Sequence, residues 1–242
     1  MKKTLLLKIL LLCCVYTVSA QQETVDWYYP VLPGSTEWAA FTTHSQMLEV
    51  CQIPKDILKQ LDTKQLLSLC LDYPLKVDFY VYNSLLEGVN SVAARFNGLQ
   101  ELLSRRDNAV CLISQLQTMR VSKFSDSYAK SLIGEAVVKQ SILEILLSLD
   151  PVIEKMDSQQ RNVLADLSME NLDAKIVTKE HFSQYSVEAS ALLLAKALRL
   201  VKGSSEKEQS ASYHILIDRG SITDMKVIEE LKKDYNLNKQ KP

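Results

Sequence analysis

From Ser84 to Arg106 the chain reads SLLEGVNSVAARFNGLQELLSRR, with its large apolar residues at Leu85, Val89, Val92, Phe96, Leu99 and Leu103. Steps of alternately four and three place these side chains in one row along a 3.6-residue helix. Leu86, Ala93 and Leu102 widen the row into a face, while Glu87, Asn90, Arg95, Gln100 and Glu101 lie opposite and suit water. Ser84 and Glu87 have the spacing of a capping box, and Arg105 and Arg106 suit the negative end of a helix dipole. This spacing predicts one long core helix with both ends marked. Gly98 within it costs about 1 kcal/mol against alanine. The ordinary reason for such a glycine is close approach of a neighbouring helix; the functional one is contact with a partner or ligand.

The same pattern recurs along the chain. Pro54 opens Lys55–Leu61, Asp62 or Thr63 caps Lys64–Leu71, and Tyr73-Pro74 ends that helix. Met47, Leu48 and Cys51 share one face, and Leu66, Leu67 and Cys70 another. Asp107 caps a helix to about Val121, with Val110, Ile113 and Leu116 inward. Tyr128–Leu149, opened by Asp126 or Ser127, is apolar around most of its second half and therefore central. Asp150-Pro151 restarts the chain, and Asp157 with Gln160 forms a second capping box before Gln159–Ser168. Residues 170–182 are weakly periodic and read as loop with one turn. Ser186 caps Val187–Lys202, and Gly203 stops it. Residues 205–219 favour helix narrowly over strand, ending at Gly220, and Thr223 caps Asp224–Tyr235. Lys76–Tyr82 has strand-like alternation but no partner strand, so it reads as an extended connector.

With six glycines in 242 residues and short connections, this is an all-α chain, an irregular multi-helix bundle or stacked helical hairpins. Trp27, Tyr28, Tyr29, Pro30, Pro33 and Gly34 give residues 21–34 the character of an extended arm lying on the helices. Residues 35–235 form one helical domain, with 205–235 as its more loosely attached part, and 236–242 should fray.

Residues 1–20 read as a secretory signal: Lys2 and Lys3, an apolar run from Leu5 to Val15, then Val18-Ser19-Ala20, with cleavage between Ala20 and Gln21. Cys13 and Cys14 follow Leu12 and each other rather than a small residue, a poor context for lipidation. Without the lysines of that segment, 25 basic side chains face 29 acidic ones, a balance of −4. A mildly acidic chain with no basic cluster is a poor partner for nucleic acid or an anionic membrane surface. No later stretch is long and apolar enough to span a bilayer.

Catalytic signatures are missing from the sequence. His44, His181 and His214 share no metal-ligand spacing, and neither a nucleophile elbow nor a phosphate-cradling glycine loop occurs. Asp72, Asp78, Glu135 and Glu144 read as caps or solvent-facing acids. Cys51, Cys70 and Cys111 remain after cleavage. Cys51 and Cys70 sit on adjacent helices and form a disulfide candidate, while core packing is the plainer reading. His44, seven residues before Cys51, would share its face if the helix began early enough to make the histidine the base of a thiol nucleophile. No cofactor is implied. The expected role is a non-enzymatic exported helical protein, either an interaction module for an unidentified protein partner or a structural one. A helical small-ligand carrier, or a thiol- or acid-dependent enzyme assembled only by the fold, is the alternative.

Four segments carry a resemblance. They are Pro30-Val31-Leu32-Pro33-Gly34-Ser35-Thr36-Glu37-Trp38, Cys51-Gln52-Ile53-Pro54, Leu69-Cys70-Leu71-Asp72-Tyr73-Pro74 and Arg95-Phe96-Asn97-Gly98-Leu99-Gln100-Glu101-Leu102. In these, over about residues 28–107, the chain resembles a group of uncharacterised secreted helical proteins of Bacteroidetes. The resemblance implies a Gram-negative source and export past the inner membrane. It implies no activity and no site residues.

Overall fold

The computed structural model describes residues 26–121, 130–177, 182–202 and 209–240. The signal segment with Ala20 and Gln21, the cap at Asp126 or Ser127, His181 and Gly203 lie outside the described residues. Among the described residues the fold has thirteen α-helices, one 3-10 turn and no strand. In chain order the helices are α1 (Thr36–Ala39), α2 (His44–Val50), α3 (Lys55–Gln60), α4 (Thr63–Leu71), α5 (Leu85–Ala93), α6 (Asn97–Ser104) and α7 (Asn108–Thr118). The second half holds α8 (Lys130–Ser148), α9 (Asp150–Ile153), α10 (Ser158–Val177), α11 (Gln184–Lys202), α12 (Ala211–Arg219) and α13 (Lys226–Lys239).

Local chemistry explains most of these boundaries. Thr43 with Gln46 and Asp62 with Gln65 close reciprocal capping boxes on α2 and α4, and Asp157 with Gln160 does the same for α10 at 2.7 and 3.0 Å. Gly220 ends α12 at φ 68°, a left-handed conformation that glycine adopts without steric cost. A Cβ there would lie 2.8 Å from Leu86, so the end of α12 is pressed against α5. That contact and the Tyr213 hydroxyl, which donates to Ala195 O at 3.3 Å, tie the segment expected to be loose to the body. The arm lies on the helices as expected over residues 26–34: Tyr29 is buried and donates to Leu69 O at 2.9 Å.

The stretch from Ser84 to Arg106 is two helices, not one. The chain turns extended at Phe96, and the Phe96 ring folds back over Gly98, where a Cβ would lie 2.3 Å from it. The glycine therefore makes room for its neighbour's ring, rather than for another helix or a ligand. The break moves the register, so Leu102 is fully buried while Leu103 is only partly so. Asn97 explains why the chain breaks here. Its side chain accepts from Ile53 N at 3.0 Å and donates to Ile53 O at 2.7 Å, pairing with the backbone before α3. Arg105 likewise serves a different helix: its guanidinium donates to Leu58 O and Leu61 O at the end of α3.

Other expectations fail for related reasons. Lys76–Phe79 is a 3-10 turn rather than an extended connector; Phe79 points in, while Val77 and Val81 are exposed. α5 sits directly on this turn, and a Cβ on Gly88 would come 1.9 Å from Phe79 O. On α7 Val110 is exposed and Leu112 takes the inward place. α10 runs on to Val177 through the supposed loop, and α11 starts at Gln184, leaving Ser186 buried inside the helix instead of capping it. α13 continues to Lys239, where fraying from residue 236 was expected, and Lys239 Nζ reaches Asp166 at 2.7 Å. The apolar second half of α8 is central as its composition predicts: Ile142, Leu143, Ile145, Leu146 and Leu147 are all buried. α11 packs on α8 and α10 and also carries α12 and α13.

Candidate functional site

Polar side chains able to do chemistry converge in two places. The first is the seam between α8, α10 and α11. On α8, Val137, Ser141, Glu144 and Ser148 succeed each other at steps of four, three and four, and all are buried. On α10, Leu164, Ser168, Asn171 and Lys175 repeat that spacing and are also buried. Helical geometry thus aims a row from each helix at the interior, and α11 completes the seam with Ser186 and Ser190. Lys175 Nζ donates to Glu144 Oε2 at 2.7 Å, to Ser190 Oγ at 2.9 Å and to Ser186 O at 3.0 Å. Glu144 Oε1 accepts from Ser190 Oγ at 2.8 Å and from Asn171 Nδ2 at 3.1 Å. Neither charged side chain has any solvent exposure.

Glu144 is therefore the centre of a buried ion pair, not a solvent-facing acid. Burial pulls the Lys175 pKa down, opposed by the charge of Glu144 and its hydrogen bond. Every proton of the ammonium has an acceptor, so the group is saturated. The same helices also hold the chain just beyond α7. Asn171 Oδ1 accepts from Val121 N at 3.2 Å, and Gln140 Nε2 donates to Met119 O at 2.7 Å. The chemistry of this network is that of a pin between helices, with no face open to a substrate.

The second place is Asp78, buried beneath His44. The histidine Nε2 lies 3.0 and 2.9 Å from the two carboxylate oxygens. Arg95 approaches the same carboxylate at 3.9 Å and donates to Ser91 Oγ at 3.2 Å, and Ser91 shares a 2.5 Å hydrogen bond with Tyr82. Asp78 is thus neither a cap nor a solvated acid; it holds α2 to the turn below α5. Asp72 and Glu135 are surface acids as expected, both paired with Lys139.

His44 does begin α2, as the thiol hypothesis required, but its partner is Asp78 rather than Cys51. Cys51 has no exposed surface, and burial together with the Asp78 charge pushes its pKa up to about 12. Burial raises the thiols of Cys70 and Cys111 too. All three are free thiols, with Cys51 and Cys70 in the core and Cys111 partly exposed. His214 is exposed, and no group of three metal-ligating side chains occurs among the described residues.

An apolar trough opens at the surface beside the buried pair, about 450 Å³ in volume and lined by Ile176, Phe182, Val187, Ile222 and Met225. Its wall is held by Glu188, which accepts from Ile222 N and Gln184 Nε2, both at 2.9 Å. Met225 is 55% exposed. Nothing in the sequence pattern marked this trough, because its residues come from the end of α10, the start of α11 with Phe182 just ahead of it, and the link between α12 and α13.

No family model matches the chain, and no curated protein or solved structure is similar to it.

Proposed function

We propose that this chain is an exported, non-enzymatic helical protein that works as an interaction or structural module. One observation carries the reading: its charged and nucleophilic centres are committed to holding helices together. Lys175 and Glu144 join α-helices across the interior, Asp78 ties α2 to the turn below α5, and Cys51, with its pKa near 12, holds little thiolate at neutral pH. The accessible trough around Val187 and Met225 offers apolar surface instead, suited to apolar side chains of a partner protein. No described helix is long and apolar enough to cross a membrane, in keeping with a chain that passes through one behind a cleaved signal.

A photo-crosslinking residue at Met225, in the protein expressed in its own host, tests this reading. One discrete adduct should form there, be absent with the probe at exposed Val110, and disappear when Val187→Arg fills the trough. Equal labelling at both positions would refute it, as would rapid alkylation of Cys51 in the folded protein at neutral pH, which would favour the thiol-enzyme alternative. The small-ligand carrier is favoured by a separate cleft between α5, α9, α11 and α12.

A further inference from the structure

Three acids are buried among the described residues: Asp78, Glu144 and Glu188. Glu144 has Lys175, and Asp78 has His44 and Arg95. Glu188, in the second turn of α11 and 3% exposed, has no cation among the described residues. A glutamate is rarely buried so completely without a countercharge, because burial penalises its ionised form. Both of its hydrogen bonds, from Gln184 Nε2 and Ile222 N, fall on Oε1, whereas a carboxylate can accept on either oxygen. Burial raises the Glu188 pKa against the pull of those two bonds.

The carboxylate stands at the wall of the apolar trough. Its two donors, Gln184 and Ile222, both line the trough, one from the start of α11 and the other from the link between α12 and α13. No charged side chain is among the described residues that line it. Gln184 is exposed, and its neutral carboxamide is a weaker donor to a carboxylate than an ammonium is. We propose that the trough takes a short segment of a partner protein in which apolar side chains flank a lysine. The apolar groups lie on Ile176, Phe182, Val187 and Met225, and the ammonium displaces the Gln184 carboxamide to pair with Glu188. This rests on the reading of the trough as a docking surface and adds the charge that its occupant carries.

Calorimetric titration of the full exported chain with the blocked peptide acetyl-Leu-Lys-Leu-amide tests the proposal. It should bind with a Kd of about 1 mM or tighter, and the same peptide with Nε-acetyllysine should bind about tenfold more weakly or worse. Glu188→Gln keeps the size of the side chain and an acceptor for Ile222 N, and circular dichroism checks that it is folded. It should bring the two peptides within about twofold of each other, and Val187→Arg should abolish binding of both. No binding of the lysine peptide at about 5 mM overturns the proposal. So does equal binding of the two peptides by the unaltered chain, an unchanged preference in Glu188→Gln, or binding that survives Val187→Arg. The Met225 crosslink separates this inference from the reading beneath it. An adduct abolished by Val187→Arg but formed in full by Glu188→Gln overturns the lysine and leaves the docking surface standing; no adduct in the otherwise unaltered chain overturns both.

Discussion

Lys175 and Glu144 give the sharpest test at the level of single residues, because neither has a path to water. Removing one partner leaves the other charged and buried, whereas removing both leaves a space that apolar side chains fill. Lys175→Met should therefore cost on the order of 3–5 kcal/mol in a denaturant titration. The double variant Glu144→Leu/Lys175→Met should recover most of that loss. Equal losses in the single and double variants would mean that lost packing, not an unpaired charge, sets the cost. The thiols make a second test. A thiol reagent should modify Cys51 and Cys70 only after unfolding, since both are buried with raised pKa values. Counting thiols in the unreduced, unfolded chain tests the free state of Cys51 and Cys70. Three support packing alone; one supports the bridge.

Between residues and the whole fold, the junction of α5 and α6 shows how an element is cut to fit its neighbours. Periodicity alone carries a helix straight through Phe96, because Leu85, Val89, Val92, Phe96 and Leu99 are all buried. What breaks it is a competing set of partners: Asn97 pairs with the Ile53 backbone, and Gln52 Oε1 accepts from Asn97 N at 3.0 Å. Those partners lie more than forty residues away in sequence, so no local window contains them. Leu99 has no exposed surface, and Leu99→Asp should cost on the order of 3–5 kcal/mol or unfold the chain outright, read as thermal stability. A mutant of normal stability would show that the buried face is wrongly assigned. Gly88→Ala is a second probe of element packing, because the new methyl meets backbone oxygen rather than a movable side chain. A loss of about 1–3 kcal/mol or more is expected in the same assay, and no change would mean that α5 does not rest on the turn.

For the whole molecule, alkaline titration reads the packing of the core. Burial is the largest cause raising the pKa values of Tyr29, Tyr73 and Tyr213, and it lifts that of Tyr80 to about 12. The native state then keeps these protons where an unfolded chain, with tyrosine pKa near about 10, releases them. Their contribution is fully present below about pH 10 and is lost as pH rises through the higher folded values. Tyrosinate absorbance should lag that of free tyrosine and rise together with loss of helical circular dichroism; ordinary titration of all tyrosines in a still-folded chain would contradict the packing. By itself the sequence determined the all-α class, the capped starts of α4 and α10, the stop at Gly220 and the central place of α8, because caps, glycine conformation and apolar periodicity act within one turn or one helix. Only the tertiary structure decided that α5 and α6 are separate, that α10 reaches Val177, and that Asp78 and Glu144 are internal. A polar row at Ser168, Asn171 and Lys175 reads locally as a solvated or broken helix face. It becomes an interior face only when Glu144, Ser186 and Ser190 arrive from other helices to satisfy it. The trough and the cleft were equally invisible, since each is lined by residues from several elements whose proximity no local pattern encodes.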